Sequence, residues 1–171
     1  MAEQDRIARL AKQIDSDVRK DQHLFLTESE VVSLRRQGAI ELHSICADFV
    51  ASVNRQLSPP VLELSPAEYT AEMFHKIDVN LIQLNAQGRI IQIAFQATRA
   101  TSSTEKFRTP YILEGEVRAY NQEMLQRIQI RSQALFYCLE EKNTWRYFEW
   151  LHGQTGVFGA GLLVSLLESL V

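Results

Sequence analysis

The side chains best suited to hold a metal ion are Glu72, His75 and Asp78, which follow one another at three-residue steps. On one continuous helix, this spacing would put neighbouring members on the same face. We expect that helix to end near Phe74, however, with Asp78 already on a strand. The set also lacks the second histidine or cysteine that a zinc site usually has. The pattern therefore indicates a solvated junction between a helix and a strand, and no metal site is predicted.

A nucleophile and a base could come from Cys46 and His43, because residues three apart on a helix lie side by side. Cys46 falls within the apolar stripe of its helix, where a cysteine is usually an unreactive packing residue. Three glycines near the C-terminus, Gly156, Gly159 and Gly161, lack the Gly-Lys-Ser/Thr ending of a phosphate-binding loop. The sequence thus predicts no catalytic residue and no cofactor.

A larger set of polar side chains alternates with apolar ones along the predicted strands. We expect them to share one face of a sheet, where neighbouring glutamates and arginines with interleaved tyrosines could recognise a protein or peptide partner. The same face could instead be a hydrated surface whose cross-strand pairs contribute a few tenths to about one kcal/mol each. The candidate binding residues are Gln92, Gln96, Glu114, Glu116, Arg118, Tyr120 and Arg131, with Gln129, Gln133 and Tyr137 beside them.

Composition and charge narrow the class of protein. A formal net charge of −3 gives no basic field that would attract a nucleic acid, so no nucleic-acid partner is expected. Cys46 and Cys138 are too few and too far apart for a disulfide framework. Residues 1–20 lack the apolar block of a signal peptide, and the apolar stretch 157–171 is shorter than the roughly 20 residues of a spanning helix. We therefore expect a cytoplasmic protein that makes no membrane contact.

One hairpin sets the register of the polar face, and the sequence marks its turn at residues 85–88. We expect a three-residue loop with Gly88 in the left-handed conformation, so that Asn85 pairs with Arg89. Counting outward, the apolar face then carries the pairs Gln83 with Ile91, Leu81 with Ile93, Val79 with Phe95 and Ile77 with Ala97. The other face carries Leu84 with Ile90, Ile82 with Gln92, Asn80 with Ala94 and Asp78 with Gln96.

Further strands follow the hairpin. Alternation from Tyr111 to Tyr120 predicts a third strand. Residues 122–151 fit both a helical stripe and a strand alternation, and the aromatic residues on either side of 140–143 favour two strands around a turn. The stretch from Arg99 to Pro110 is rich in Thr, Ser, Glu and Lys and predicts a mobile polar loop at the sheet edge.

Four helices are predicted from apolar spacing and capping signals. They cover about residues 3–20, residues 27–57 with a capping box at Thr27 and Glu30, and residues 66–74 after Ser65. The last is a C-terminal helix with apolar residues Leu162, Leu163, Leu166, Leu167 and Leu170. The two long helices and this one compete for a single apolar sheet face, so we expect a homo-oligomer to cover the surplus.

Together these elements predict one α+β domain over residues 1–171. It is an antiparallel meander of about five strands, with two long N-terminal helices and a C-terminal helix packed on one face. The preferred function is a non-enzymatic binding or assembly module that acts through the polar face and the 99–110 loop. The alternative is a small-molecule-binding protein or small enzyme with an apolar pocket between sheet and helices, and with His43, Tyr111 or Glu149 at its mouth.

Overall fold

The computed structural model describes residues 2–21, 26–102 and 107–171, and within these ranges it contains four α-helices and one seven-stranded sheet. The helices are α1 (Ala2–Lys20), α2 (Glu28–Gln56), α3 (Gln122–Gln126) and α4 (Ala160–Glu168). The strands are β1 (Leu62–Ser65), β2 (Asn80–Ala86), β3 (Arg89–Ser102), β4 (Tyr111–Tyr120), β5 (Arg131–Cys138), β6 (Thr144–Glu149) and β7 (Gln154–Val157). Each strand pairs antiparallel with the next in chain order, which confirms the predicted α+β class and meander.

The predicted number of strands, about five, is too low because two short edge strands escaped detection. β1 lies just before the predicted helix 66–74, of which only a 3₁₀ turn at Ala71–Met73 exists. Asn54 explains the strand: its side-chain amide donates to the Leu62 carbonyl at 2.8 Å and accepts from the Leu62 amide at 3.1 Å. The end of α2 thereby holds β1 extended beside β2. The predicted strand pair within residues 122–151 is confirmed as β5 and β6.

The predicted register of the first hairpin is wrong by one residue. Gln87 and Gly88 both have positive φ, 51° and 93°, so the loop has two residues and Ala86, not Asn85, pairs with Arg89. The Asn85 side chain stabilises this turn by accepting a hydrogen bond from the Gly88 amide at 2.8 Å. The shift reverses the faces of β2. Its buried side chains are Asn80, Ile82 and Leu84, and the predicted core residues Ile77, Val79 and Leu81 are exposed.

The main hydrophobic core lies between the sheet and helices α2 and α4. At Gly38, α2 passes so close to β5 that an added Cβ would lie 2.7 Å from the ring of Tyr137. At the same point the indole N–H of Trp145 donates to the Gly38 carbonyl at 2.7 Å. Tyr137 is buried in this core, so its predicted place on the polar face is wrong.

The apolar side chains of the C-terminal helix α4 pack against other parts of the same chain. Leu163, Leu166 and Leu170 are buried in the main core, and Leu162 and Leu167 pack against it. The leucines therefore give no argument for a second copy.

The helix left without cover is α1, whose apolar residues Ile7, Leu10, Ile14 and Val18 are all exposed. The prediction that both N-terminal helices pack on the sheet is wrong for α1, because α2 and α4 already fill that face. No helix in the described part of the chain is long and apolar enough to cross a membrane.

Candidate binding groove on the outer sheet face

The face of the sheet opposite α2 and α4, called the outer face below, carries most of the predicted binding residues. Its cross-strand pairs on β3 and β4 are Ile90 with Tyr120, Gln92 with Arg118, Ala94 with Glu116 and Gln96 with Glu114. On β5 the same rows continue with Ser132, Ala134 and Phe136. Six of the seven predicted binding residues thus share one face, as their alternation suggested.

Arg131 does not belong to this face. It pairs with Ala119, and Gln133 pairs with Val117, and both partners are buried on the helix side. Alternation therefore directs Arg131 and Gln133 away from the outer face, and Gln129 precedes β5 altogether. The predicted place of Arg131 was wrong because β5 carries apolar residues on both faces. Its alternation therefore does not indicate which face packs against the helices.

Aromatic side chains cover the outer face over β5 and β6, where the sequence predicted a polar edge loop. Arg99–Ser102 belong to β3, residues 103–106 lie outside the described ranges, and Phe107 is buried. The Phe107 ring stacks on Phe136 at 4.6 Å between centroids and meets Phe148 edge-on at 5.7 Å. The buried members of this aromatic cluster are Phe107, Tyr111, Phe136, Cys138 and Phe148. The available signal was Phe107, an aromatic residue in the otherwise polar stretch from Arg99 to Pro110, directly before Tyr111.

A β-bulge directs Tyr111 into the aromatic cluster. The register of β4 shifts between Tyr111 and Leu113, so that Tyr111 pairs with Cys138 and changes face. Arg35 of α2 stabilises the irregular backbone, because its guanidinium donates to the carbonyls of Ile112, at 3.0 Å, and Thr98. Burial lowers the pKa of Arg35.

Between the aromatic cluster and the polar side chains of β3 and β4 runs an open groove of about 460 Å³. Ala94 and Ala134, which have small side chains, lie among the residues that line this groove. Trp150 stands at its rim, 46% exposed and edge-on to Phe148 at 4.6 Å between centroids. The side chains lining this outer groove include Val79, Ala94, Gln96, Glu114, Glu116, Ser132, Ala134, Phe136 and Trp150.

The two carboxylates of the outer groove differ in their surroundings. Glu116 accepts hydrogen bonds from the Ser132 hydroxyl and from Arg118, whose guanidinium lies 3.0 Å away. Burial would raise the pKa of Glu116, but these hydrogen bonds and the charge of Arg118 outweigh it and lower that pKa. Glu114 is half-buried and has no hydrogen bond or ion pair with the residues that the structure describes. Glu114 is therefore the carboxylate free to meet a ligand.

Neither cysteine has the surroundings of a nucleophile. Cys138 lies in the aromatic cluster and Cys46 in the main core, and burial raises the pKa of each thiol to about 12. Both therefore stay protonated at neutral pH. His43, three residues from Cys46, bonds through Nε2 to the Pro66 carbonyl at 2.7 Å. These contacts are those of packing residues.

The residues predicted at the mouth of an apolar pocket do not converge. His43 lies on the buried side of α2, and Tyr111 lies in the aromatic cluster. The Glu149 carboxylate accepts hydrogen bonds from the backbone amides of Leu151 and His152, at 2.7 and 2.8 Å. The space between sheet and helices holds the main core. In the described ranges no group of three His, Cys, Asp or Glu side chains is arranged to hold a metal ion.

The outer groove thus combines the unpaired carboxylate of Glu114, the carboxylate of Glu116 paired with Arg118, and the amide of Gln96. The rings of Phe136 and Trp150 lie beside them. Such a set can hold a cationic group beside apolar surface. Comparisons with protein-family models, curated proteins and solved structures found no match.

Proposed function

We propose that the protein is a non-enzymatic binding module whose outer groove holds an extended, basic segment of a partner protein. The observation that carries the proposal is Glu114, a half-buried carboxylate without a partner in the described chain, set among apolar and aromatic side chains. A carboxylate that is partly removed from water is stabilised when an opposite charge meets it. A lysine or arginine of the partner would supply that charge.

The surroundings of Glu114 suit a long basic side chain. Phe136 and Trp150 present ring surface along which an alkyl stem or a guanidinium can lie, and Gln96 adds an amide for hydrogen bonding. Val79 and Leu81, both about half exposed, extend apolar surface beside the groove for neighbouring side chains of the same segment. The partner is therefore expected to alternate basic and apolar residues.

The volume of the outer groove favours a second candidate, a small organic cation. At about 460 Å³ it falls within the range of roughly 300 to 1,000 Å³ typical of small-ligand sites. The peptide is preferred because the groove is open along the sheet and continues into exposed apolar side chains. A cytoplasmic location is part of the proposal, supported by two cysteines that are both free and buried.

The test is a binding titration by fluorescence anisotropy with two labelled pentapeptides, Val-Lys-Val-Arg-Val and its acidic counterpart Val-Glu-Val-Asp-Val. We expect the basic peptide to bind, the acidic one not to bind, and added salt to weaken the complex. Glu114→Gln removes the charge and keeps the shape, and should weaken binding about tenfold, equivalent to about 1.4 kcal/mol. Lysine amide and tyramine as competitors test the small-cation candidate.

Glu168→Gln is the matched control, because it makes the same charge change on the exposed side of α4. It should bind the basic peptide as the unmodified protein does. Equal binding of the acidic peptide, or equal loss in both glutamate variants, would refute a charge-selective groove. Binding of tyramine at least as tight as that of the peptide would favour the small cation.

A further inference from the structure

Helix α1 carries an apolar stripe that its own chain leaves uncovered. The stripe consists of Ile7, Leu10, Ile14 and Val18, each between 52% and 60% exposed. Four large apolar side chains in one row are more than a solvated helix normally shows. Most of the stability of a helix in a protein comes from packing such a face. A partner for the stripe is therefore expected.

The orientation of α1 directs the stripe away from the rest of the chain. The side of α1 that faces the body is polar: Lys12, Asp15, Ser16 and Arg19 line an open cleft opposite residues 108–110, 139–141 and 143. At 100° per residue Lys12, Ser16 and Arg19 lie on the side of the helix opposite the stripe, and Asp15 lies between that side and one flank of the stripe. The apolar face is thus free to meet a second molecule.

The charges beside the stripe indicate which molecule. Arg6 and Asp17 lie on the same flank of the stripe, near its two ends, and Asp15 lies on the other flank. In an antiparallel pair of identical helices, each flank meets the same flank of the copy. Setting Ile7 opposite Val18 of the copy then brings Arg6 near Asp17 of the copy at both ends.

The parallel arrangement fits poorly. It would bring opposite flanks together and place Asp15 near Asp17 of the copy, two like charges beside the apolar seam. A lipid surface also fits poorly, because α1 has no aromatic residue and nearly equal numbers of acidic and basic side chains. The charge pattern is complementary to itself in the antiparallel direction.

We propose that α1 pairs antiparallel with α1 of a second copy of this chain, through the stripe from Ile7 to Val18, and so forms a dimer. The stripe and the lining of the outer groove share no residue. The proposal is independent of what the groove binds.

The test is the molar mass of the full chain by size exclusion with light scattering, over a hundredfold range of concentration. We expect a dimer at high concentration. Ile14→Asp, in the stripe, should give a monomer, and the control Ser16→Asp, on the polar side, should remain a dimer. We expect all three proteins to have the same midpoint of thermal unfolding of the sheet by circular dichroism, because the stripe lies outside the main core.

Charge exchange tests the direction of pairing. Arg6→Asp and Asp17→Arg should each weaken the dimer at least fivefold, and the double variant should regain most of the loss. A monomeric wild-type chain at every concentration, or a dimer unaffected by Ile14→Asp, would overturn the proposal. Additive rather than compensating effects of the two exchanges would overturn the antiparallel arrangement.

Discussion

Replacing Phe107 with alanine should destabilise the protein, because the Phe107 ring is the cover of the aromatic cluster on the outer face. The ring is 5% exposed and contacts three others: Phe136 at 4.6 Å, Phe148 at 5.7 Å and Tyr111 at 6.1 Å between centroids. Loss of a buried phenylalanine costs about 3 to 5 kcal/mol in protein cores. We expect the lower end, about 3 kcal/mol, since the cluster lies on the outside of the sheet and its cover can shift.

Urea unfolding followed by circular dichroism measures this loss. Phe107→Leu keeps most of the apolar volume and should cost less than about 1.5 kcal/mol. Leu151→Ala is the control for an exposed apolar side chain, and should change the free energy of unfolding by no more than about 0.5 kcal/mol. A loss below 1 kcal/mol for Phe107→Ala would refute the view that the 107–111 segment covers the outer face.

The remaining predictions concern the core and the acid range. Gly38→Ala should lower the free energy of unfolding by about 1 to 2 kcal/mol in urea titrations, because overpacking against Tyr137 exceeds the gain in helix propensity. Asn80→Ala should cost about 1 to 3 kcal/mol by the same measurement, since the buried amide pairs with both backbone groups of His75, at 2.8 and 3.1 Å. The folded chain has a lowered pKa at Glu116, so its ionised form stabilises the fold at neutral pH and that contribution disappears as the pH falls through the folded pKa. Glu116→Gln should therefore lose less stability than the unmodified protein on acidification, as followed by thermal unfolding; equal losses would contradict the ion pair.

Local signals in the sequence sufficed for the fold class and for most elements. Thr27 is the N-cap of α2 as predicted, with the Glu30 amide donating to the Thr27 hydroxyl at 3.2 Å. The reciprocal half of the predicted capping box is not formed, because the Glu30 carboxylate accepts from the Thr27 hydroxyl, at 3.1 Å, and not from the Thr27 amide. The alternation of β4 and the aromatic content of β5 and β6 also predicted strands that exist. Each of these signals depends on residues close together in the chain.

Features set by distant contacts could not be obtained in this way. Gln87 adopts a left-handed conformation that favours glycine and asparagine, so the sequence pointed to a longer loop and a register one residue off. The burial of Phe136 on the outer side of β5 depends on Phe107, which belongs to a segment of mostly polar composition. For α1 the periodicity predicts a helix with one apolar side. Periodicity alone does not indicate which surface packs against that side.

The most direct test of the outer groove as a binding site is a map of amide chemical shifts on titration with the peptide Val-Lys-Val-Arg-Val. We predict that the largest changes fall on Gln96, Glu114 and Ala134 and on the indole N–H of Trp150, and that Glu114→Gln reduces them at equal peptide concentration. The indole N–H of Trp145, bound to the Gly38 carbonyl, should stay unchanged. Changes confined to α1 or to the exposed side of α2, with the groove residues unaffected, would contradict the account.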